Sequence, residues 1–476
     1  MPIGTQDFEY VLDNEFFKNI EGEDVQKGKV KVKLTVKRTA ASFELDFDLE
    51  GVIQIPCDRC LDDMDHEVKT QETLYVKFGS EYSEESDNVV VIPESDGELN
   101  IAWFLYEFIA LTIPLKHVHQ AGKCNKSKIG KPAARLLRAR AAAYAAGYLN
   151  DKSYFQITLD ETAQLVASAP QLADFDKLFV TGCEDLDEVI LVRRYSLDAT
   201  NSWGNWYNQS IGGYCVTTPV KALADAFEYV GERNETMPYL NKDPRFYQTI
   251  YAPGMEMRGK YFNTIPNNVV EKDGKTYFDP NKDYGALQDK EVSVGDVLAE
   301  GGGGEWNKTP TGLSWKKYCQ EEETWTTYNS FIIFRYAEAY LLRAEALVET
   351  GGSTDEAKSL IKVIRDRAGN TNDIDKMVAE RYNGSLRDLV RNERRVELAQ
   401  EGLRFADIRR WNILLDVMNK PIEGIEYRDF SSGTPKHTVL IPAERDAYTA
   451  KDFWWPIPQA EIDLNPGRIT QNEGWK

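Results

Sequence analysis

Only four histidines and six cysteines occur among 476 residues, too little soft-ligand and thiol chemistry for a disulfide scaffold. No His-Glu-x-x-His, Ser-His-Asp or dinucleotide-binding pattern is present, and His437 is the only histidine beyond residue 125. The four-glycine run at 301–304 is not followed by Gly-Lys-Ser/Thr, so it reads as a flexible loop rather than a phosphate cradle. The sequence points away from an enzyme. Long apolar runs are also missing: the greasiest stretch, 101–115, contains Glu107 and is too short to span a bilayer. The N-terminus has no basic region ahead of an apolar run and no cysteine set for lipid attachment, so the chain as written is expected to stay cytoplasmic. Basic charge is short as well. A net charge of −20 disfavours direct nucleic-acid binding, because phosphate contacts require a basic surface.

What is present changes character near residue 125. Most of the acidic excess lies before it, together with alternating patterns. In VKVKLTVK the apolar Val30, Val32, Leu34 and Val36 alternate with polar residues, and in FELDFDLE the apolar Phe43, Leu45, Phe47 and Leu49 alternate with acids. That period of two predicts two strands, one basic and one acidic on its wet face, paired as a hairpin with opposite charges across from each other. Further strands are expected near 74–78 and 89–92, and a helix over 100–112 that stops before Pro114.

The chemistry of this segment rests on Cys57 and Cys60, spaced C-x-x-C. With Cys124 and His119, or His117 in its place, they could complete a tetrahedral Cys₃His zinc site. A redox pair, or thiols with no special role, fits the same spacing. The stretches IQIPCDRCLDDMDHEV and IPLKHVHQAGKCN resemble the YceD family linked to large-subunit ribosomal RNA accumulation. The resemblance implies a cytoplasmic, non-enzymatic role in ribosome production, exerted through a protein partner given the acidic balance.

From residue 126 the pattern is helical. PAARLLRARAAAYAAG reads as one helix from Pro132 with Gly147 as its C-terminal cap, and a second helix is expected to start on a Thr158–Glu161 capping box. FIIFRYAEAYLLRAEALVETGGSTDEAKSLIKVIRDRAG repeats the helix-pair arrangement at about tetratricopeptide length. Phe334, Ala337, Leu341, Ala344 and Leu347 line one face, and Ser353 to Glu356 supply another capping box. Between the pairs, 231–330 reads as long ordered loops. The fold class is therefore multidomain α+β: a small β-rich domain, 1–125, and a mostly α, tetratricopeptide-like domain with long loops, 126–476.

RNERRVELAQEGLRFADIRRW crowds carboxylates with arginines, which keep acids ionised and so unsuited to general-acid work; a structural ion-pair network is expected. SWGNWYNQS sets aromatic faces beside amides within nine residues, the combination that packs on sugar rings and bonds their hydroxyls. Trp203, Trp206, Tyr207 and Asn208 are the glycan-contact candidates, with packing of the loop as the competing role. Trp306, Trp315 and Trp325 are weaker candidates, and Phe453, Trp454 and Trp455 are expected in the core.

PVKALADAFEYV, DPRFYQTI, FRYAEAYLLRAEAL, RNERRVELAQEGLRFADIRRW and WPIPQAEIDLNPGRITQNEGW, in that order, resemble the SusD/RagB family of outer-membrane nutrient-binding lipoproteins. The resemblance implies non-catalytic oligosaccharide binding and a TonB-dependent transporter as partner, with membrane attachment only through a lipid anchor. The family's exported N-terminus, lipid-bearing cysteine and first helical pairs have no counterpart here. The two resemblances demand different addresses, so the chain reads as chimeric. Two independent modules are expected, joined near 126–131, and such a fusion could leave neither function intact.

Overall fold

The structure, a computed structural model, describes all residues except 1–2, 21, 23–24, 40–41, 58–62, 87, 94–97, 115–116, 118–125, 127–128, 197–198, 299–305, 320–326, 431–433, 435, 442–446 and 476. The chain divides into two compact units, Met1–Lys131 and Pro132–Lys476.

The first unit is a six-stranded sheet. β1 (Gly4–Leu12), β2 (Lys27–Arg38), β3 (Ser42–Pro56) and β4 (Asp63–Gly79) form an antiparallel meander, with helix α1 (Asn14–Asn19) between the first two strands. β5 (Ser83–Ser86) lies at the far edge and β6 (Val89–Pro93) sits between it and β4, parallel to β4. The predicted hairpin is β2–β3. Its register sets Lys31 opposite Glu50, Lys33 opposite Asp48 and Lys37 opposite Glu44, while Val32, Leu34 and Val36 face Leu49, Phe47 and Leu45 on the inner side. Helix α2 (Ala102–Ala110) covers that inner face, with Phe108 5.4 Å from Phe47. The segment expected at 74–78 is the end of a 17-residue strand whose first half alternates too weakly in apolar character to be recognised.

The second unit opens on α3 (Lys131–Tyr148), which pairs with α4 (Phe155–Ala167). Ala133, Leu136, Ala139, Ala143 and Ala146 bury one stripe of α3, and their small side chains let neighbouring helices approach closely. Gly147 is not a cap: it lies inside the helix, and a Cβ there would come within 2.4 Å of the Arg410 carbonyl oxygen. The Thr158–Glu161 capping box does not form either. α4 starts earlier, at Phe155; Thr158 donates to the Ala139 carbonyl at 3.2 Å, and Glu161 pairs with Arg135 and Arg138.

After strand β7 (Val189–Arg193), α5 (Lys221–Ala226) and α6 (Phe246–Thr249), the described residues between 250 and 330 form loops with short paired strands. The strand Phe331–Arg335 pairs antiparallel with β7 and leads into the second helix pair, α7 (Tyr336–Thr350) and α8 (Thr354–Ala368). The apolar face expected from Phe334 to Leu347 is buried in one cluster with α3, α4 and α8. Ser353 caps α8 through the Glu356 amide at 3.1 Å, but the Glu356 carboxylate turns to Arg343, so half of that capping box is present. α9 (Ile374–Glu380), α10 (Leu386–Glu397) and α11 (Arg404–Arg410) follow, with two short helices, Leu414–Met418 and Gln459–Leu464, after them.

Candidate functional site

The loop SWGNWYNQS folds into a short 3₁₀ turn, Trp203–Trp206, held at both ends. Asn201 accepts from the Trp203 amide at 3.2 Å, and Asp296 accepts from the amides of Gln209 and Ser210 at 3.0 and 2.9 Å. Burial raises the Asp296 carboxyl above its ordinary range despite those hydrogen bonds.

The anchoring decides which candidates can meet a ligand. Trp203 is 6% exposed and packs edge-on to Tyr318 at 4.8 Å. Tyr207 is fully buried and donates its hydroxyl to the Tyr318 carbonyl. Asn208, also fully buried, accepts from the Ile211 amide at 3.2 Å. These three side chains hold the loop, the competing role weighed above, and are turned away from solvent. Trp206 is half-buried, stacked on Trp203 at 5.8 Å with 17° between the rings. The amides of Cys215 and Val216 bond back to the carbonyls of Tyr207 and Asn205, bringing exposed Tyr214 onto the same loop. Trp306 is 85% exposed, Trp315 is half-buried and Trp325 lies outside the described residues.

Beneath the loops runs a layer of buried ion pairs. Glu397, with no exposed surface, receives Arg335 at 2.6 Å and Arg245 at 3.0 Å, and also pairs with Arg367. Glu401 receives Arg335 and Lys317 at 2.8 and 2.7 Å. Glu393 binds Arg245 and Arg365, and Asp407 binds Arg394 and Arg410. Burial alone would raise the acids, yet the surrounding guanidinium charges hold Glu345, Glu397 and Glu401 below the ordinary carboxylate range. Lys317 moves the other way, pushed down to about 8 because burial outweighs its Glu401 partner. Carboxylates locked in this state are poor proton donors. The motif RNERRVELAQEGLRFADIRRW thus serves the structural role expected of it, although Arg395 and Arg404 take no carboxylate partner among the described residues.

Of the four zinc candidates, Cys57 is buried at the end of β3, whereas Cys60, His119 and Cys124 lie outside the described residues. His117 places Nδ1 3.1 Å from the Pro114 carbonyl oxygen. No cluster of three or more metal-ligating side chains occurs among the described residues.

The expectation that Phe453, Trp454 and Trp455 lie in the core is overturned. Trp454 and Trp455 are 49% and 72% exposed, Phe453 is half-buried, and none of residues 447–475 is buried. The segment is pinned by polar bonds instead of burial. Gln471 exchanges hydrogen bonds with the Ile457 backbone at 2.8 and 2.9 Å, Asn472 donates to the Trp455 carbonyl at 2.7 Å, and the Trp475 indole donates to Lys451 and Trp454 carbonyls. A tryptophan run beside Pro-x-Pro carries the same composition whether it is packed or displayed, so the sequence held no sign of this.

Comparison with known proteins gives two family matches: the SusD family over residues 187–475, and the large ribosomal RNA subunit accumulation protein YceD over residues 45–143. SusD-like protein P25 of Formosa agariphila is 27% identical over 234 residues, covering 48% of this chain and 39% of that protein. SusD-like protein P38 of the same organism is 39% identical over 100 residues, 20% of each chain. The chain thus spans well under half the length of these curated relatives. Among solved structures, a SusD-like carbohydrate binding protein from Bacteroides fragilis matches with TM-score 0.56 at 21% identity, covering 77% of this chain and 69% of that one. A second SusD-like protein from the same species gives 0.53 at 23% identity, covering 79% and 71%. At these identities the likeness is one of fold.

Proposed function

Because the chain belongs to the SusD family, we propose that its second unit binds an oligosaccharide without altering it, handing it to a TonB-dependent transporter at the outer membrane. The match over residues 187–475 carries this reading. Attachment there through a lipid group is what the family resemblance implies; no helix among the described residues is long and apolar enough to cross a bilayer. Trp206 is the loop aromatic best placed to receive a sugar face, with Trp203 stacked behind it and Tyr214 exposed on the same loop. The ion-pair layer supports binding without hydrolysis, its carboxylates being committed to arginines.

Calorimetry of the full chain against a panel of plant, host and storage glycans tests the reading. Trp206→Ala should weaken neutral-glycan binding about tenfold, on the order of 1.4 kcal/mol. An unchanged affinity removes this loop as the site, and release of reducing sugar would show an enzyme.

The match over residues 45–143 favours a second reading for the first unit alone, a part in large-subunit ribosomal RNA accumulation through a protein partner. It would include one zinc ion held by Cys57, Cys60, Cys124 and either His119 or His117. Metal analysis of the full chain should find about one equivalent, lost in Cys57→Ser; unchanged content in the variant rejects the ligand set.

A further inference from the structure

A cavity of about 530 Å³ opens between the end of α3, the end of α11 and the turn before Trp454. Its charged lining consists of Lys152, Arg391, Arg409 and Arg410 against Glu345 and Glu349. Both carboxylates are already engaged. Glu345 takes Arg410 through both oxygens and the Trp411 indole at 2.6 Å, while Glu349 takes Arg387 and Arg391 at 3.0 Å each and Lys152 at 3.6 Å.

Arg409 is left with the Phe453 carbonyl as its one hydrogen-bond acceptor among the described residues. Its Nε is buried without an acceptor, and so is the Nε of Arg391. Arg365, Arg367 and Arg394 show the same shortfall elsewhere, so what sets Arg409 and Arg391 apart is that both guanidinium groups line the same cavity.

The aromatic side of the cavity is as distinctive. Trp454 tilts against Tyr148 at 5.7 Å, and the Arg409 guanidinium lies 5.8 Å from the Tyr148 ring and 5.5 Å from that of Phe405. Trp454 also borders a second cavity of about 260 Å³, lined by Phe405, Tyr448, Trp455, Trp475 and Asp452. Asn150 and Asn412 add neutral amides to the larger cavity.

Resting on the carbohydrate-binding reading above and narrowing its ligand class, we propose that these cavities bind an acidic saccharide, with its carboxylate or sulfate at Arg409 and Arg391. Ring faces pack on Trp454 and its neighbours, while the asparagines meet hydroxyls. Asp452 fixes the direction: it repels an anion and accepts from hydroxyls, so the charged residue of the saccharide seats in the larger cavity and a neutral one in the smaller.

The test is calorimetry on the full chain with a galacturonate oligomer, its methyl ester, a sulfated galactan oligomer and the unsulfated counterpart. The acid or the sulfate should bind at least about tenfold tighter than its neutral partner, the difference shrinking with salt. Which anion gains distinguishes carboxylate from sulfate. Arg409→Gln should abolish the preference, and Trp454→Ala should weaken charged and neutral forms alike.

Equal binding of charged and neutral partners by the unmodified chain overturns the proposal whether or not Arg409→Gln folds. So does a preference that survives in a folded Arg409→Gln protein. Neutral-glycan binding lost in Trp206→Ala, with no charge preference anywhere, removes this site and leaves the loop reading standing. A charge preference that depends on Arg409 and ignores Trp206 does the reverse.

Discussion

Both units pair cations with carboxylates, but only the second carries such pairs in its interior as well as on its surface among the described residues. In the first, Lys37 meets Glu44 and Asp46 at 3.0 and 2.8 Å on the wet face of a sheet, with every partner more than a third exposed. In the second, Arg335, Glu397 and Arg245 meet at similar distances with side chains at most 1% exposed. Distance alone therefore says little about strength. Exposed pairs trade water for each other at small net gain, whereas a buried charge deprived of its partner has nothing to replace it.

The contrast can be broken most directly at Glu397. Glu397→Ala leaves three arginines facing an empty site, and chemical denaturation should show a loss of about 3–5 kcal/mol in the second unit. A loss below about 1 kcal/mol, the range of surface pairs, would erase the distinction.

Acid gives the next largest effect. Glu345, Glu397 and Glu401 have folded pKa values below the ordinary 4.5. Below that pH the unfolded chain takes up protons that the folded one does not, so the stability these groups supply is complete above about 4.5 and drains away as pH falls towards their folded values. Thermal melting between pH 6 and 3 should show the second unit falling steeply. A flat profile would mean the carboxylates are not held as described.

Smallest is Lys37→Met. It should leave melting nearly unchanged at physiological salt, because the exposed pairs it removes are screened. A clear drop would show that the stripes across β2 and β3 matter to the first unit beyond register.

Legibility in the sequence follows the same division. Alternation along Val30–Val36 and Phe43–Leu49 revealed the central hairpin because one face is wet, and the α7 stripe was visible because Phe334, Ala337 and Leu341 recur at helical spacing. β1 escaped notice. Its exposed residues alternate too little in polarity to mark a strand, and only pairing with β2 defines it. Gly147 and Thr158 depart from the expected caps because contacts with Arg410 and Ala139, distant in sequence, outweigh local cap chemistry. At the glycan loop the residue types were readable but their orientation was not. Trp203 and Trp206 are chemically identical, and the fold alone buries one and leaves the other half open.

The reach of Glu397 has a kinetic side. Two of its three arginine partners, Arg335 and Arg245, stand 62 and 152 positions away, whereas Arg367 stands 30 away. Both long loops must close before the carboxylate has all its partners, so a half-assembled helical unit gains only the Arg367 pair and leaves Arg335 and Arg245 without this acceptor. Partial opening is penalised for the same reason. Amides in the strand Phe331–Arg335, α8 and α10, which carry Arg335, Arg367 and Glu397, should exchange with solvent through one shared opening rather than piecemeal. Hydrogen exchange with separate opening energies for these three elements would show that the layer does not bind them into one cooperative block.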